Sequence, residues 1–246
     1  MDRMIYVAAS GVRSTMQRQE VLANNLANLN TPGYRAETVA FRVAPVIGEG
    51  LPTRAFVAES TPGADFTPGV ITTTGRTLDV ALTGQGFFAV QGTDGTEGYT
   101  RNGGFEINEQ GLLQTHSGQL VLGDGGPISI QPGSTLSIAA DGSISASVAG
   151  GGKAAVPVGR FKLVNPAASD LMRGTDGLFR MRDGGDAGPD ARVRVASGAI
   201  EGSNVNAVEV MVGMITLARQ FEMQMKMMQS ADAAARKGAQ LLGSGG

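Results

Sequence analysis

A histidine beside a serine is the first candidate for chemistry in this chain. His116 and Ser117 stand in the stretch QTHSGQ, and with an aspartate they would supply the residue types of a nucleophilic hydrolase. The sequence has no G-x-S-x-G motif, and adjacent side chains in a strand point to opposite faces of the sheet. We therefore interpret His116 as a turn or surface residue and reject the triad.

Carboxylates before glycines are the second candidate. Asx-Gly pairs begin at Asp94, Asn102, Asp124, Asp141, Asp176 and Asp183. Such pairs favour the positive backbone angles of tight hairpin turns, so we interpret their aspartates as turn residues. Paired carboxylates also cleave glycosidic bonds, and their separation depends on the fold. A glycan-cleaving enzyme or a cell-wall carbohydrate-binding module therefore stays open as the non-structural alternative.

Metal and cofactor sites lack their usual ligands in this sequence. One histidine and no cysteine argue against histidine-rich and thiolate metal sites. The glycine-rich pieces TGQGFF, GDGG and RDGGDAG have neither the strand-loop-helix setting of a P-loop nor the ligand spacing of an EF-hand. We predict no enzyme activity, no cofactor and no metal.

Charge and hydropathy narrow the possible partners. The net charge is -2 over 246 residues, so the chain has no excess of positive charge with which to neutralise the phosphates of a nucleic acid. No stretch approaches the roughly 18 apolar residues of a membrane helix, and the apolar run of residues 4–9 is too short for a signal peptide. We expect no nucleic-acid partner, no membrane insertion and no cleaved signal peptide.

Two amphipathic helices are predicted at the ends of the chain. Apolar side chains recur every three or four residues from Ile5 to Leu29, and Pro32 ends this helix because it disfavours helical geometry at Thr31. The second helix starts at a capping box on Asn206 and runs to about residue 242. Its heptad positions a and d hold Met211, Met214, Ala218, Phe221, Met225, Met228, Ala235, Ala239 and Leu242, in a pattern broken only by Asp232.

Short β-prone segments separated by turns fill the middle of the chain. This pattern predicts an α+β fold, in which the terminal helices form a coiled-coil-like assembly domain and antiparallel hairpins form a central β-rich domain. The predicted segments are 1–34 for the first helix and its exit turn, 35–78 for an extended connector, 79–179 for the β-rich domain, 180–201 for a return connector and 202–246 for the second helix.

Each predicted helix has an apolar face that needs a partner. The two helices could pair as an antiparallel coiled coil within one monomer and do nothing more. They could also pack against helices of neighbouring subunits, and the amides of Gln19, Asn24, Asn25 and Asn28 favour this by specifying register between chains. The residues alone leave both alternatives open.

Several blocks of the sequence resemble the flagellar rod and hook proteins of bacteria. These blocks are ANNLANLNTPGY from Ala23 to Tyr34, LTGQGFFAVQ, EGYTRNGGFEINEQGLL and EGSNVNAVEVMVGMITLARQFEMQMK, in the order typical of that family. The opening MDRMIYVA and the blocks STPGADFTPG, GGPISI, IAADGSIS, VGRFKLV and DGLFR are similar to its proximal rod branch. The distal rod branch or another axial subunit is the alternative.

The resemblance implies a structural subunit of the flagellar basal body, in the rod that spans the periplasm. Its terminal helices would polymerise, with copies of itself and with other rod subunits, into the hollow drive shaft used for motility. The flagellar type III export apparatus would be a further partner, which fits the expected lack of a signal peptide.

The terminal helices and the turn after the first one are the implied functional residues. Thr31, Pro32, Gly33 and Tyr34 form the exit turn, and Pro32-Gly33 suits a type II turn. The expected assembly interface comprises Ile5, Val12, Leu22, Asn24, Asn25, Leu26, Asn28, Met211, Met214, Ala218, Phe221, Met225 and Met228.

Phe221→Asp tests the predicted helix interface. Because a charge is costly to bury in an apolar seam, we expect this variant to be excluded from assembled rods while the β-rich domain stays folded. Sedimentation of isolated rods measures incorporation, and circular dichroism of the soluble chain measures folding. Incorporation at the level of the parent chain would show that Phe221 lies outside the interface.

Overall fold

A computed structural model describes residues 2–45, 55–59, 63–148 and 155–243. In these ranges the chain is α+β, as predicted, with a long helix at each end. The helices are α1 (Asp2–Ala27) and α2 (Ala207–Gly243), and a short 3-10 helix covers Ala168–Asp170. Over the described ranges, neither long helix is apolar enough over a sufficient length to cross a membrane.

Short strands make up the rest of the regular structure. In chain order they are β1 (Glu37–Thr38), β2 (Phe41–Pro45), β3 (Ala55–Glu59), β4 (Gly63–Ala64), β5 (Ile71–Thr73), β6 (Val80–Thr83), β7 (Phe87–Gln91), β8 (Glu97–Thr100), β9 (Phe105–Ile107), β10 (Leu113–Thr115), β11 (Leu120–Gly123), β12 (Gly126–Pro127), β13 (Ser134–Ile138), β14 (Ser143–Val148), β15 (Val156–Arg160), β16 (Leu163–Val164), β17 (Leu171–Arg173), β18 (Phe179–Met181), β19 (Arg194–Ser197) and β20 (Ala199–Glu201).

The chain divides into two compact units. Unit 1 comprises Met1–Ala27, Glu37–Gly63 and Val205–Gly246, and unit 2 comprises Asn28–Ala36 and Ala64–Asn204. These boundaries differ from the predicted segments, because hydrogen bonds tie the exit turn and much of both connectors into the β-rich unit. Strand β5 of the first connector pairs antiparallel with β20 of the second, and β19 pairs with β6.

Unit 1 is built on the antiparallel packing of α1 against α2. Near the end of α1, Leu22 fits against Gly213 near the start of α2, where an added Cβ would lie 2.9 Å from Leu22 Cδ1. Farther from this point on both helices, the Thr15 hydroxyl lies 3.2 Å from Gln224 Oε1. These two contacts show that α1 and α2 run in opposite directions.

The start of α2 carries the predicted cap. Oδ1 of Asn206 accepts the backbone N–H groups of Val208 and Glu209, at 3.0 and 3.3 Å. These bonds satisfy two of the donors that a helix leaves free at its first turn. Val205 and Val210 flank the cap, and both are buried, as in a hydrophobic staple.

The core of unit 2 lies on both faces of a nine-stranded sheet. Its strand order is β17-β18-β8-β7-β11-β10-β9, with β12 beside β11 and β16 beside β7. Phe87 and Phe88 are neighbours on the central strand β7, so their rings point to opposite faces. Each ring joins an aromatic trio with centroids 5.1 to 6.0 Å apart, Phe88 with Phe105 and Phe161, and Phe87 with Phe66 and Phe179.

Asp-Gly turns separate the strands, as predicted. The glycine has the predicted positive φ in four of the six pairs, at Gly95, Gly142, Gly177 and Gly184, whereas at Gly103 and Gly125 the expectation of a positive φ was wrong. Asp94 accepts the N–H and hydroxyl of Thr96 at 3.0 and 2.7 Å, and these hydrogen bonds lower the pKa of its carboxyl. The interpretation of Asp94 as a turn residue is therefore confirmed.

The exit turn requires glycine at its third position. Tyr34 N–H donates to the Thr31 carbonyl at 3.3 Å, and Gly33 has φ of +67°, a positive value as a type II turn demands. Gly33 N–H also donates to the Glu201 carbonyl at 2.8 Å. A Cβ at position 33 would overlap the backbone of Arg101, so the close approach independently excludes a side chain.

Gly33→Ala and Gly75→Ala separate the effect of a positive φ from the effect of the close backbone approach. Gly75 has φ of +78° but nothing within 4 Å of an added Cβ, so its variant tests backbone strain alone, at about 1–2 kcal/mol. We expect Gly33→Ala to lower the free energy of unfolding by about 2 kcal/mol more, because it adds a backbone clash. Urea unfolding followed by circular dichroism measures both, and equal losses would show that the approach at position 33 tolerates a methyl group.

Candidate functional site: the assembly helices and a buried carboxylate

His116 and Ser117 lie exposed in the turn between β10 and β11. Nδ1 of His116 is 3.0 Å from the carbonyl oxygen of Gly104, so the ring is engaged with backbone. Over the described part of the chain, no group of three or more His, Asp or Glu side chains is arranged to hold a metal ion. The interpretation of His116 as a turn residue is confirmed.

A groove of about 500 Å³ in unit 2 bears on the carbohydrate alternative. Its carboxylates are Glu97, Asp124, Asp141 and Asp190. Three of them are ion-paired, Glu97 with Lys162 at 2.6 Å, Asp141 with Arg160 at 2.7 Å and Asp190 with Arg192 at 2.8 Å. Phe161, the one aromatic residue among the described lining residues, is 2% exposed. The groove thus offers no aromatic face for a sugar ring to stack on.

The inner face of α2 follows a seven-residue repeat. Buried and half-buried side chains alternate by four and three residues through an inner seam of Val210, Met214, Leu217, Phe221, Gln224, Met228 and Ala231. Met214, Phe221 and Met228 were predicted there, but the other positions fall one residue earlier than predicted. One residue turns a helix by about 100°, so the predicted Met211 and Ala218 are exposed instead.

An apolar patch faces outward at the start of α2. This outer patch consists of Val208, Met211, Val212 and Ile215, which are 71, 51, 57 and 55% exposed. On the same face beyond Ile215 stand Arg219, Glu222 and Lys226, all exposed. A contiguous exposed apolar patch with a charged border is typical of a protein interaction surface.

The remaining predicted interface residues are spread between both faces of the helices. Val12, Leu22, Leu26, Asn28 and Met225 are half-buried, Asn24 is exposed and Asn25 is buried. The side chain of Ile5 lies outside the described residues. Contact of any of these residues with neighbouring subunits stays a prediction.

Asn25 uses its amide within the chain. Its Nδ2 donates to the Glu37 carbonyl at 2.9 Å, and its Oδ1 accepts the Glu37 N–H at 2.7 Å. The side chain is 4% exposed, so both ends of the amide are bonded in a buried position. These bonds hold strand β1, which follows the exit turn. From the sequence we had favoured a role for this amide in specifying register between chains.

A buried carboxylate, Glu201, joins three distant parts of unit 2. Its Oε1 accepts Nη2 of Arg35 at 2.7 Å and the N–H of Gly69 at 2.8 Å, and its Oε2 accepts Nε of Arg101 at 2.7 Å. The three charged side chains are at most 4% exposed. Removing one partner from such a buried ion pair is strongly destabilising, because it leaves an uncompensated charge in the interior.

Arg101 extends this cluster to the loop before β7. Its Nη1 donates to the Gly86 carbonyl at 2.9 Å and its Nη2 to the Gly84 carbonyl at 2.8 Å. Burial lowers the pKa of the Arg101 guanidinium, and the negative charge of Glu201 opposes that shift. Glu201 therefore favours the charged form of Arg101.

Asn204 holds the chain where it leaves the exit turn. Its Oδ1 accepts the N–H of Ala36 at 2.7 Å, while its Nδ2 donates to the carbonyls of Asp65 and Thr67 at 2.9 and 3.0 Å. One amide thus connects three separate segments of unit 2.

Arg173 reaches the same segment from β17. Its Nη1 donates to the Arg35 carbonyl at 2.9 Å, and its guanidinium carbon lies 4.5 Å from the centre of the Tyr34 ring. This geometry combines a hydrogen bond with a cation–π contact. The backbone from Gly33 to Ala36 is therefore fixed by residues more than sixty positions away in sequence.

The buried cluster around Glu201 was not predicted from the sequence. Arg35 follows Pro32-Gly33-Tyr34 directly, Arg101 precedes Asn102-Gly103, and Glu201 precedes Gly202. A glycine within or beside a strand often marks close approach of another backbone, and this was the signal available. Which carboxylate meets which arginine depends on pairings across a hundred residues or more, which no local pattern contains.

Glu201→Gln tests the cluster. The variant keeps the shape but leaves two buried guanidinium groups facing a neutral amide, so we expect the free energy of unfolding to fall by about 3–5 kcal/mol. Asp232→Asn is the control, because its 2.8 Å pair with Arg236 is exposed and should contribute little. Urea unfolding measures both variants, and a similar small loss in each would show that the buried charges do not stabilise unit 2.

Three family profiles match the chain along its length. The profile described as Flagella basal body rod protein covers residues 5–35, Flagellar hook protein FlgE/F/G D1 domain covers residues 81–146, and Flagellar basal body rod FlgEFG protein C-terminal covers residues 196–241. The matched segments contain α1 with the exit turn, the centre of the large sheet, and Glu201 with most of α2.

Relatives match over nearly the whole chain. Flagellar basal-body rod protein FlgF of Escherichia coli (strain K12) is 49% identical over 98% of this chain and 99% of its own length. FlgF of Caulobacter vibrioides is 33% identical over 99% of both, and FlgG of Agrobacterium fabrum is 33% identical over 94% of this chain and 95% of its own length. The chain belongs to the flagellar basal-body rod protein family.

Proposed function

We propose that this chain is an FlgF-type rod subunit that polymerises through its terminal helices into the hollow axial shaft of the flagellum. The observation that carries the proposal is the outer patch of α2. Packing against α1 leaves Val208, Met211, Val212 and Ile215 more than half exposed. An apolar face left open on a helix that already has one partner indicates a second partner.

The helix pair is the assembly domain in this proposal. The seven-residue repeat of the inner seam supports a coiled-coil-like pairing within the subunit. Helices of neighbouring subunits, either other copies or other rod proteins, then cover the outer patch. The two alternatives that the residues left open are thus combined, with one face of α2 used within the chain and another between chains.

The relatives favour the FlgF branch over the distal rod alternative. Identity reaches 49% with a protein named FlgF, whereas the relative named FlgG that we compared is 33% identical, at similar coverage. Both relatives are named as rod proteins of the basal body, which supports a structural role over an enzymatic one. We place this chain in the part of the rod that crosses the periplasm, delivered by the flagellar type III export apparatus.

Ile215→Asp tests the outer patch as the assembly surface. The variant chain would be produced in Escherichia coli lacking its own FlgF, and rods would be isolated from those cells. Because the exposed position tolerates a charge in the monomer but not in an interface, we expect normal folding with at least a tenfold loss of incorporation and swimming.

Gln229→Asp is the matched control, since it places the same charge at an exposed site of the same helix outside the patch. It should support swimming at the level of the parent chain. Failure of the parent chain itself to restore rods would overturn the FlgF-type assignment. Normal incorporation of Ile215→Asp would instead remove the outer patch from the interface.

A further inference from the structure

Two different faces of α2 are apolar enough to pack against α1. The inner seam contains one polar side chain, Gln224, among seven residues. An alternative seam shares Met214, Phe221 and Met228 with the inner seam and has Met211, Ala218, Met225 and Asp232 at the other four positions. Each seam thus has one polar residue among seven, so the number of apolar residues buried does not by itself select the seam that is observed.

Gln224 occupies a site shaped for its side chain. A Cβ added to Gly11 of α1 would lie 3.0 Å from Gln224 Nε2, so the absence of a side chain at position 11 makes the room for the amide. The hydroxyl of Thr15, one turn along α1, is shared between the Gly11 carbonyl at 2.9 Å and Gln224 Oε1 at 3.2 Å. Thr15 is 2% exposed and Gln224 is half-buried, so this polar contact is partly shielded from solvent.

A second contact between a glycine and a side chain lies farther along the helix pair, and in it the two helices exchange roles. Here α2 supplies the glycine and α1 the side chain, because Gly213 receives Leu22. Rotating α2 about its own axis, from the inner seam to the alternative seam, would move Gly213 away from Leu22 and Gln224 away from Gly11 at the same time. The two fits therefore act together on the rotation of α2.

We infer that the contact of Gln224 with Thr15 and Gly11, supported by Leu22 on Gly213, selects which face of α2 packs on α1. A polar side chain in an otherwise apolar seam specifies the arrangement of a helix pair at some expense in stability. The selection is a property of the single chain. Its consequence, that the outer patch faces outward for neighbours, rests on the proposed rod function.

Thr15→Val together with Gln224→Ala removes the polar contact and leaves the alternative seam intact. Single cysteines at Ala218 and Ala231 report the rotation, because the chain has no other cysteine and alanine to cysteine is a small change. Ala218 is exposed and belongs to the alternative seam, whereas Ala231 is 4% exposed and belongs to the inner seam.

The measurement is the rate at which each cysteine of the full soluble chain reacts with a water-soluble maleimide. With Thr15 and Gln224 present, the cysteine at position 218 should react at least about tenfold faster than the one at position 231, because burial protects a thiol. In the double variant we expect the two rates to become equal within about twofold while helical circular dichroism is retained, because neither face is then selected. Gln229→Ala, which removes an exposed glutamine of the same helix, should leave the order unchanged.

Two results would overturn the inference. An unchanged order of rates in the double variant would show that packing other than the polar contact selects the face. Equally fast reaction at both positions, with loss of helical circular dichroism, would show that the contact holds the helices together without choosing between faces. Both readouts come from the unassembled chain, so they stay valid whether or not the chain builds rods.

Discussion

The ion cluster around Glu201 is the interaction on which the geometry of unit 2 depends. One carboxylate takes hydrogen bonds from Arg35, Gly69 and Arg101, and its own backbone carbonyl takes the N–H of Gly33. A buried charge tolerates little displacement of its partners, because each lost bond leaves an ionised group without solvation. The exit turn is consequently as fixed as the sheet, although it stands next to a helix terminus in sequence.

The helices of unit 1 obey a different constraint. Their stability comes from apolar packing, which is tolerant of rotation because α2 is apolar on more than one face. Small features therefore decide the arrangement, namely Gly11, Gly213 and the contact between Thr15 and Gln224. A helix that is apolar on two faces suits a subunit whose neighbours supply the second half of its packing.

Local patterns in the sequence predicted the features that local physics determines. The ends of both helices, the cap at Asn206, and the Asp-Gly turns follow from a few adjacent residues, and the structure confirms them. The inner seam was predicted correctly only at alternate positions, because Met211 and Val210 are equally apolar and periodicity cannot choose between them. The Glu201 cluster was not predicted, since its partners lie 100 to 166 residues away.

The separation in sequence between Glu201 and its two arginines determines when the cluster can form during synthesis, because the chain is made from its first residue. Arg35 and Arg101 leave the ribosome long before Glu201, and contacts between such distant residues form late in folding. Until position 201 is available, the N–H of Gly33 lacks its acceptor and strand β5 lacks its complete partner strand β20. A chain cut short before this residue would keep an open sheet edge and two unpaired guanidinium groups.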